Sequence, residues 1–477
     1  MYPDTQLFLA GQLRPGGDKA TAPVYNPATG EQIGRFAVAT TGDLDEAVAA
    51  AERAFPAWRA MGPLKRSAIL RKAADLVRER AAAMAPVMTM EQGKPLAESE
   101  REVTNSGDVL EWFAEEGRRA YGRLIPARDP NVMQLVTREP IGIVAAFSPW
   151  NFPVSQAARK IAAALAAGCP IILKGPEDTP ASCALFVQCL ADAGVPAGIL
   201  SLVYGDPATI SDHLIAHPSV RKVSFTGSTA VGKLLAAKAG AQMKRCTMEL
   251  GGHAPAIVCD DADLEGAVKT LAMAKFRNAG QICIAPTRFL VQDKVYDTVL
   301  GRFEQAAKAV KVGDGLAAGT TMGPLAHGRR IEAMEGFLAD AAQKGGEIRL
   351  GGKRHGNTGH FFEPTIIEGL GSDARLMNEE PFGPIALFSR FSEIEEAVAE
   401  ANRLSYGLAA YAFTRSSAKA HKLSQSIESG MVSINHHGMS LPEVPHGGIK
   451  DSGYGSEGGA EALEGYMTFK YVTQMMV

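Results

Sequence analysis

From Ile141 onward, short apolar runs alternate with longer stretches whose apolar residues recur every three or four positions. The runs Ile141 to Phe147, Pro170 to Lys174, Leu200 to Tyr204 and Lys222 to Thr226 predict buried strands. Between them, Val154 to Ala167, Ala181 to Ala193 and Ile210 to Ala216 predict helices. This alternation implies an α/β protein with a mostly parallel, doubly wound sheet, a class that binds ligands beyond the carboxyl ends of its strands. A second series starts at Ala254, with strands at Ala256 to Val258, Arg288 to Val291 and Gly383 to Phe388 and a helix over Val295 to Val310. Upstream, Leu7 to Leu9, Val24 to Tyr25, Gln32 to Phe36 and Val132 to Val136 read as strands. Asp43 to Arg59, Leu64 to Arg80 and Ser99 to Glu116 read as helices with one apolar face. Thr468 to Val477 reads as an exposed terminal strand, of the kind another subunit often completes.

Length and composition narrow the class. At 477 residues the chain has room for two or three domains, and 46% hydrophobic with 21% charged residues is ordinary for a soluble globular enzyme. A net charge of −3 excludes a general nucleic-acid binder, which needs a basic surface. Met1 to Gln6 lacks the basic start and apolar core of a secretory signal, and the longest apolar run, Ile161 to Leu173, is too short to span a membrane. The six cysteines lack the spacing of a disulfide framework or a zinc site, so a reducing cytoplasm is the expected compartment. His213/His217 and His436/His437 have no acidic or cysteine partner at metal spacing, and no metal is expected.

The stretch Met248 to Pro286 concentrates the chemistry. It opens with Glu249-Leu250-Gly251-Gly252 and closes with Asn278-Ala279-Gly280-Gln281-Ile282-Cys283, setting a carboxylate and a thiol beside glycines that leave room for a substrate. A helix from Asp263, capped by that residue, to Phe276 separates them along the chain while letting both ends face one cleft. Two readings are open from these residues: a thiol nucleophile with a nearby general base, or a buried structural cysteine and a surface glutamate.

Other loops sit at expected strand ends. Gly227-x-x-x-x-Gly232-Lys233 nearly matches a nucleoside triphosphate loop, but Leu234 stands where a Ser or Thr should hold magnesium. The helix start there, with Ser228, still offers free N–H groups to a diphosphate. Ser148-Pro149-Trp150-Asn151-Phe152-Pro153 reads as a rigid strand-to-helix turn in which Asn151 can cap the helix. Lys174-Gly175-Pro176-Glu177 and Glu380-Pro381-Phe382-Gly383-Pro384 read, taken alone, as ordinary surface and proline turns.

Glu249-Leu250-Gly251-Gly252 and Gly280-Gln281-Ile282-Cys283, in this order and at this separation, resemble the glutamate and cysteine signatures of the aldehyde dehydrogenase superfamily. The similarity runs from Asn26-Pro27-Ala28-Thr29-Gly30 to the terminal strand. It implies two doubly wound parallel-sheet domains plus a small β oligomerisation flap: residues 1–120 and 140–248 binding NAD, 249–447 catalytic, 121–139 and 460–477 for assembly into a homodimer or homotetramer. It implies that Cys283 attacks an aldehyde, that Asn151 holds the oxyanion, and that Glu249 activates water to hydrolyse the thioester. Trp150, Lys174, Glu177, Gly227, Ser228, Gly232, Glu380 and Phe382 would bind the cofactor. Glu177 would accept from both ribose hydroxyls and repel a 2′-phosphate, which favours NAD over NADP. The Glu249 base argues against acyl transfer to coenzyme A, and Cys283, Glu249 and Asn151 together argue against a silent binding relative.

Lys275-Phe276-Arg277-Asn278 and Ala158-Arg159-Lys160 resemble the bacterial succinate-semialdehyde and 2-oxoglutarate-semialdehyde dehydrogenases. The expected partner is therefore a small aldehyde with a far-end carboxylate held by Arg159 and Arg277, with Ser440 as a further donor; glutarate semialdehyde or a broader aldehyde range is the alternative. Two departures stand out. Ala285 replaces a second cysteine that gives some relatives a redox switch, and His446 stands where many members have phenylalanine.

Overall fold

The computed structural model describes residues 2–476. Its first sheet has five parallel strands at its centre, in the order Arg245–Glu249, Val220–Thr226, Ile143–Phe147, Ile171–Lys174, Leu200–Val203. Antiparallel strands flank them: Gly453–Tyr454 on one side, Leu7–Leu9 and then Gln12–Arg14 on the other. The three apolar runs that begin at Ile143, Ile171 and Leu200 are buried throughout, because helices cover both faces of the sheet. From Ile143–Phe147 the chain winds outward to Leu200–Val203, then crosses back to lay Val220–Thr226 on the opposite flank. That reversal opens a crevice beyond the carboxyl ends of Ile143–Phe147 and Val220–Thr226.

The second sheet runs Glu347–Leu350, Thr365–Glu368, Ile385–Phe391, Pro286–Gln292, Ala254–Val258, Ala409–Phe413, Met431–Ile434. All its pairings are parallel except that of Glu347–Leu350. Separate apolar cores underlie the two sheets. The doubly wound α/β architecture expected from the alternation is thus present twice.

The helix Pro153–Ala167 organises the first core. Proline at its first turn costs no hydrogen bond, and Gly168 at φ +92° ends it. Every residue of the helix except Ser155 is buried, so Arg159 and Lys160 are held deep in the molecule.

Three expectations change. Asp263 stands at the start of the helix Leu264–Phe276, but its side chain makes no capping hydrogen bond. The terminal strand, Met467–Met475, is not unpaired: it joins Val132–Pro140 over its whole length, and Arg123–Ile125 completes a three-stranded antiparallel sheet. Among the described residues its other edge has no strand beside it, Phe469, Tyr471 and Met475 are exposed, and Val477 lies outside the described residues. A helix absent from the sequence reading, Ala81–Gln92, has Pro86 inside it and buried residues nearly all round, so no amphipathic stripe marks it. Among the described residues no helix is long and apolar enough to cross a membrane.

Candidate active site

Glu249 ends the strand Arg245–Glu249, and Cys283 follows the turn after the helix Leu264–Phe276. Asn278 and Ala279 adopt φ 46° and 51°, unusual for side-chain-bearing residues, and Gly280 continues at 72°. A Cβ on Gly280 would strike the Gly383 carbonyl. Gly280 therefore serves packing rather than substrate access, which corrects the sequence reading there, while Gly251 lines the cleft beside Glu249 and Cys283. In the connection that follows Glu249, a Cβ on Gly251 would sit 2.6 Å from Glu380 Oε2 and one on Gly252 2.9 Å from the Cys283 carbonyl. Close backbone approach here draws the Glu249, Cys283 and Glu380 segments into one place.

One atom each of Glu249, Cys283 and His446 lies within 4.8 Å of the others, and His446 Nε2 is 3.6 Å from Glu249 Oε1. Glu249 and His446 are buried, yet neither carboxylate oxygen and neither ring nitrogen has a hydrogen-bond partner. Cys283 is partly open to the cleft. Burial, the Glu249 charge and Glu380 push its thiol well above the usual range. Burial also raises Glu249, but His446 and the Lys160 ammonium outweigh it and hold the carboxyl below its ordinary value. A protonated thiol thus faces an ionised carboxylate.

Beneath this trio the polar groups are tightly paired. Asn151 donates through Nδ2 to the Gln281 carbonyl at 3.0 Å. Its own carbonyl accepts from Lys94 Nζ at 2.7 Å and Asn278 Nδ2 at 3.0 Å. Lys94 pairs at 2.5 Å with Glu102, whose other oxygen accepts from the Val154 and Ser155 N–H groups that open the organising helix. Gln92 fixes Asn278 at 2.8 Å, and Gln281 accepts from the Ala326 N–H at 2.9 Å. An amide has two N–H donors, so Asn151 keeps a second for an oxyanion in the cleft. Lys94, Glu102 and Gln92 escaped the sequence reading, and Asn278 entered it only as part of a motif; nothing local to them signals these long-range contacts.

Two cavities meet at Cys283. One, of about 480 Å³, occupies the crevice and is lined by Trp150, Asn151, Gly227, Ser228, Glu249, Glu380 and Phe382 among others. Trp150 and Phe382 meet edge-on at 5.6 Å, and Phe382 is held at φ 44°. The helix Thr229–Ala241 opens into the crevice, capped by Ser228 and with no acidic residue in its first turn, as an anion-binding helix start requires. Burial lifts the Glu380 carboxyl to about 8, so its side chain is ready to donate as well as accept. These features fit a dinucleotide. Gly232 does not line the cavity; it is glycine because a Cβ there would strike Leu250. Lys174 and Glu177 form an ion pair outside the cavity lining, and a Cβ on Gly175 would strike the Tyr204 ring, which accounts for the departure at Gly175-Pro176.

The second cavity, about 180 Å³, is lined by Arg159, Arg277, Cys283, Ser440 and His446. Its two arginines differ. Arg159 is buried and donates to the Glu457 and Ser440 carbonyls at 3.0 Å and to Ser440 Oγ at 3.1 Å. Arg277 is half-buried, lies 5.7 Å over the Phe152 ring, and its Nε has no partner. Of the histidine pairs, His213 binds Asp45 at 2.6 Å, a contact its local spacing did not reveal.

A thiol, a carboxylate and an amide donor converge between a dinucleotide-sized crevice and an arginine-lined mouth, and the chain belongs to the NAD(P)-dependent aldehyde dehydrogenase family. The profile of the "Aldehyde dehydrogenase family" matches residues 14–472. The 4-(hydroxymethyl)benzenesulfonate dehydrogenase TsaD1 of Comamonas testosteroni is 44% identical over 99% of this chain and 98% of its own. The NADP(+) succinate-semialdehyde dehydrogenase of Escherichia coli is 40% identical over 98% and 97%. The crystal structure of succinate-semialdehyde dehydrogenase from Burkholderia pseudomallei superposes with a TM-score of 0.97 at 42% identity, covering 99% and 98%.

Proposed function

We propose that this enzyme oxidises a small aldehyde carrying a far-end anion, succinate semialdehyde foremost, to the acid with NAD. The observation that carries the reading is the shared lining of one cavity by Cys283, Arg277, Arg159 and Ser440. Cys283 loses its proton to water in the open cleft and attacks the aldehyde carbon through sulfur. The second Asn151 N–H and the Cys283 backbone N–H hold the oxyanion. A dinucleotide held in the crevice by Trp150, Ser228, Glu380 and Phe382 would supply the hydride acceptor. Glu249 then takes a proton from water, which attacks the thioester carbon and releases the acid with the thiol restored.

Arg277 is the direct anion contact, because its buried Nε is unpartnered. Arg159 spends donors on Ser440 and so positions the loop beside it. Arg277→Ala should therefore lose roughly 2–5 kcal/mol in kcat/KM with succinate semialdehyde and far less with butanal. Parallel losses on both substrates would leave the anion requirement without support. A second reading, in which the far-end anion is an aromatic sulfonate, draws on the 4-(hydroxymethyl)benzenesulfonate dehydrogenase at 44% identity. A panel of succinate semialdehyde, glutarate semialdehyde and 4-sulfobenzaldehyde separates the two.

NAD is preferred because the Glu177 carboxylate repels a 2′-phosphate. Glu177→Gln should raise kcat/KM with NADP relative to NAD; an unchanged ratio removes Glu177 from cofactor choice. Residues 1–120 and 140–248 form the cofactor domain and 249–447 the catalytic one. The exposed edge of Met467–Met475 joins cytoplasmic subunits into a dimer or tetramer, which a single-chain mass in solution would refute.

A further inference from the structure

The trio at the meeting of the two cavities sets His446, which the proposed oxidation does not use, against two groups that it does. Glu249 and His446 are 1% and 2% exposed, and none of their four polar atoms makes a hydrogen bond, the two groups facing each other at 3.6 Å. Native interiors rarely leave such groups unpaired. Carboxylate oxygen, imidazole nitrogen and thiolate sulfur are also the three donor types that zinc prefers.

We propose that Glu249, Cys283 and His446 form a reversible, inhibitory binding site for a soft divalent cation, Zn²⁺ above all. The geometry suits it. Tetrahedral zinc with nitrogen and oxygen at ordinary bond lengths sets those two ligands about 3.4 Å apart, and His446 Nε2 to Glu249 Oε1 is 3.6 Å. Sulfur would stand about 3.6 Å from each, against an observed limit of 4.8 Å, so closure by roughly an ångström completes the set. The Zn–S bond forms as the thiol proton leaves to solvent, and water takes the fourth position from the cavity that Cys283 and His446 line. Thiolate and carboxylate together neutralise the metal charge. Nearby cations oppose it: Lys160 is paired with Glu457, but Arg159 stays charged, so the dissociation constant should be on the order of micromolar rather than that of a four-ligand structural site. A thiolate held by zinc cannot attack an aldehyde.

The test reads binding rather than turnover, and so stands apart from the proposed reaction. Metal-free, cofactor-free full-length protein is titrated calorimetrically with ZnCl₂, and with Co²⁺ as an optical probe. The expected result is one tight zinc per chain and a sulfur-to-cobalt charge-transfer band. His446→Phe and Cys283→Ala should each weaken zinc at least tenfold, while His436→Ala and His437→Ala should not. Zinc bound equally well by His446→Phe, or lost with the surface histidines, would overturn the site. If His446→Phe fails to fold, the cobalt spectrum of the unaltered protein decides: no thiolate band, no site.

Discussion

Two regions only a few ångströms apart treat their polar groups in opposite ways. Below the cleft, Lys94, Glu102, Asn151, Asn278 and Gln281 satisfy one another through buried hydrogen bonds. At the cleft, Glu249 and His446 are as deeply buried and satisfy nothing. The lower layer holds the cysteine loop and the Asn151 turn in register; the upper layer leaves the reacting groups free for substrate. Fixed geometry supplies the rate advantage of orientation, and an unpaired carboxylate is a base whose proton acceptor is not already occupied. The contrast teaches that the unsatisfied atoms here mark chemistry, and the satisfied ones support it.

Removing a reacting group should have the largest effect. Cys283→Ala should lose at least about a thousandfold in NADH formation with the thermal midpoint and NAD binding nearly unchanged, as steady-state rates and cofactor titration will read. Breaking the lower layer should instead cost stability. Lys94→Met leaves the buried Glu102 carboxyl without its counter-ion, a change worth about 3–5 kcal/mol, visible as a lower urea midpoint. Cutting the exposed pair Lys422–Glu395 should leave that midpoint in place, which calibrates the comparison.

The smallest effect sharpens the electrostatics of the upper layer. Burial and the neighbouring carboxylates hold the Cys283 thiol above its ordinary range, so in cofactor-free protein its alkylation should still be rising with pH beyond pH 9. Glu249→Gln removes one negative charge, which lowers the thiol pKa and moves the rise to lower pH. Peptide mapping of iodoacetamide adducts follows Cys283 alone; an unmoved profile would show that Glu249 does not act on the thiol.

The same contrast explains what the sequence made legible. The strands from Ile143 to Thr226 are buried on both faces, so their apolar runs stand out without any knowledge of partners. Cys283 and Glu249 are legible because their motifs are local and ordered. Lys94 and Glu102 are not, since each is an ordinary polar residue until Asn151 and the start of the helix Pro153–Ala167 are brought against it. Ala81–Gln92 lacks a stripe because it is covered nearly all round. His446 was visible as a departure, but only folding reveals that its ring faces Glu249.

The division of labour between Cys283 and Glu249 is the centre of this account, and rapid-mixing measurement of NADH with Glu249→Gln tests it directly. Acylation needs Cys283 and hydride transfer; only hydrolysis of the thioester needs the carboxylate as base. The account predicts a burst approaching one NADH per active site, followed by a steady rate at least tenfold below that of the unaltered enzyme. A variant with unchanged steady turnover, or one with no burst at all, would contradict it.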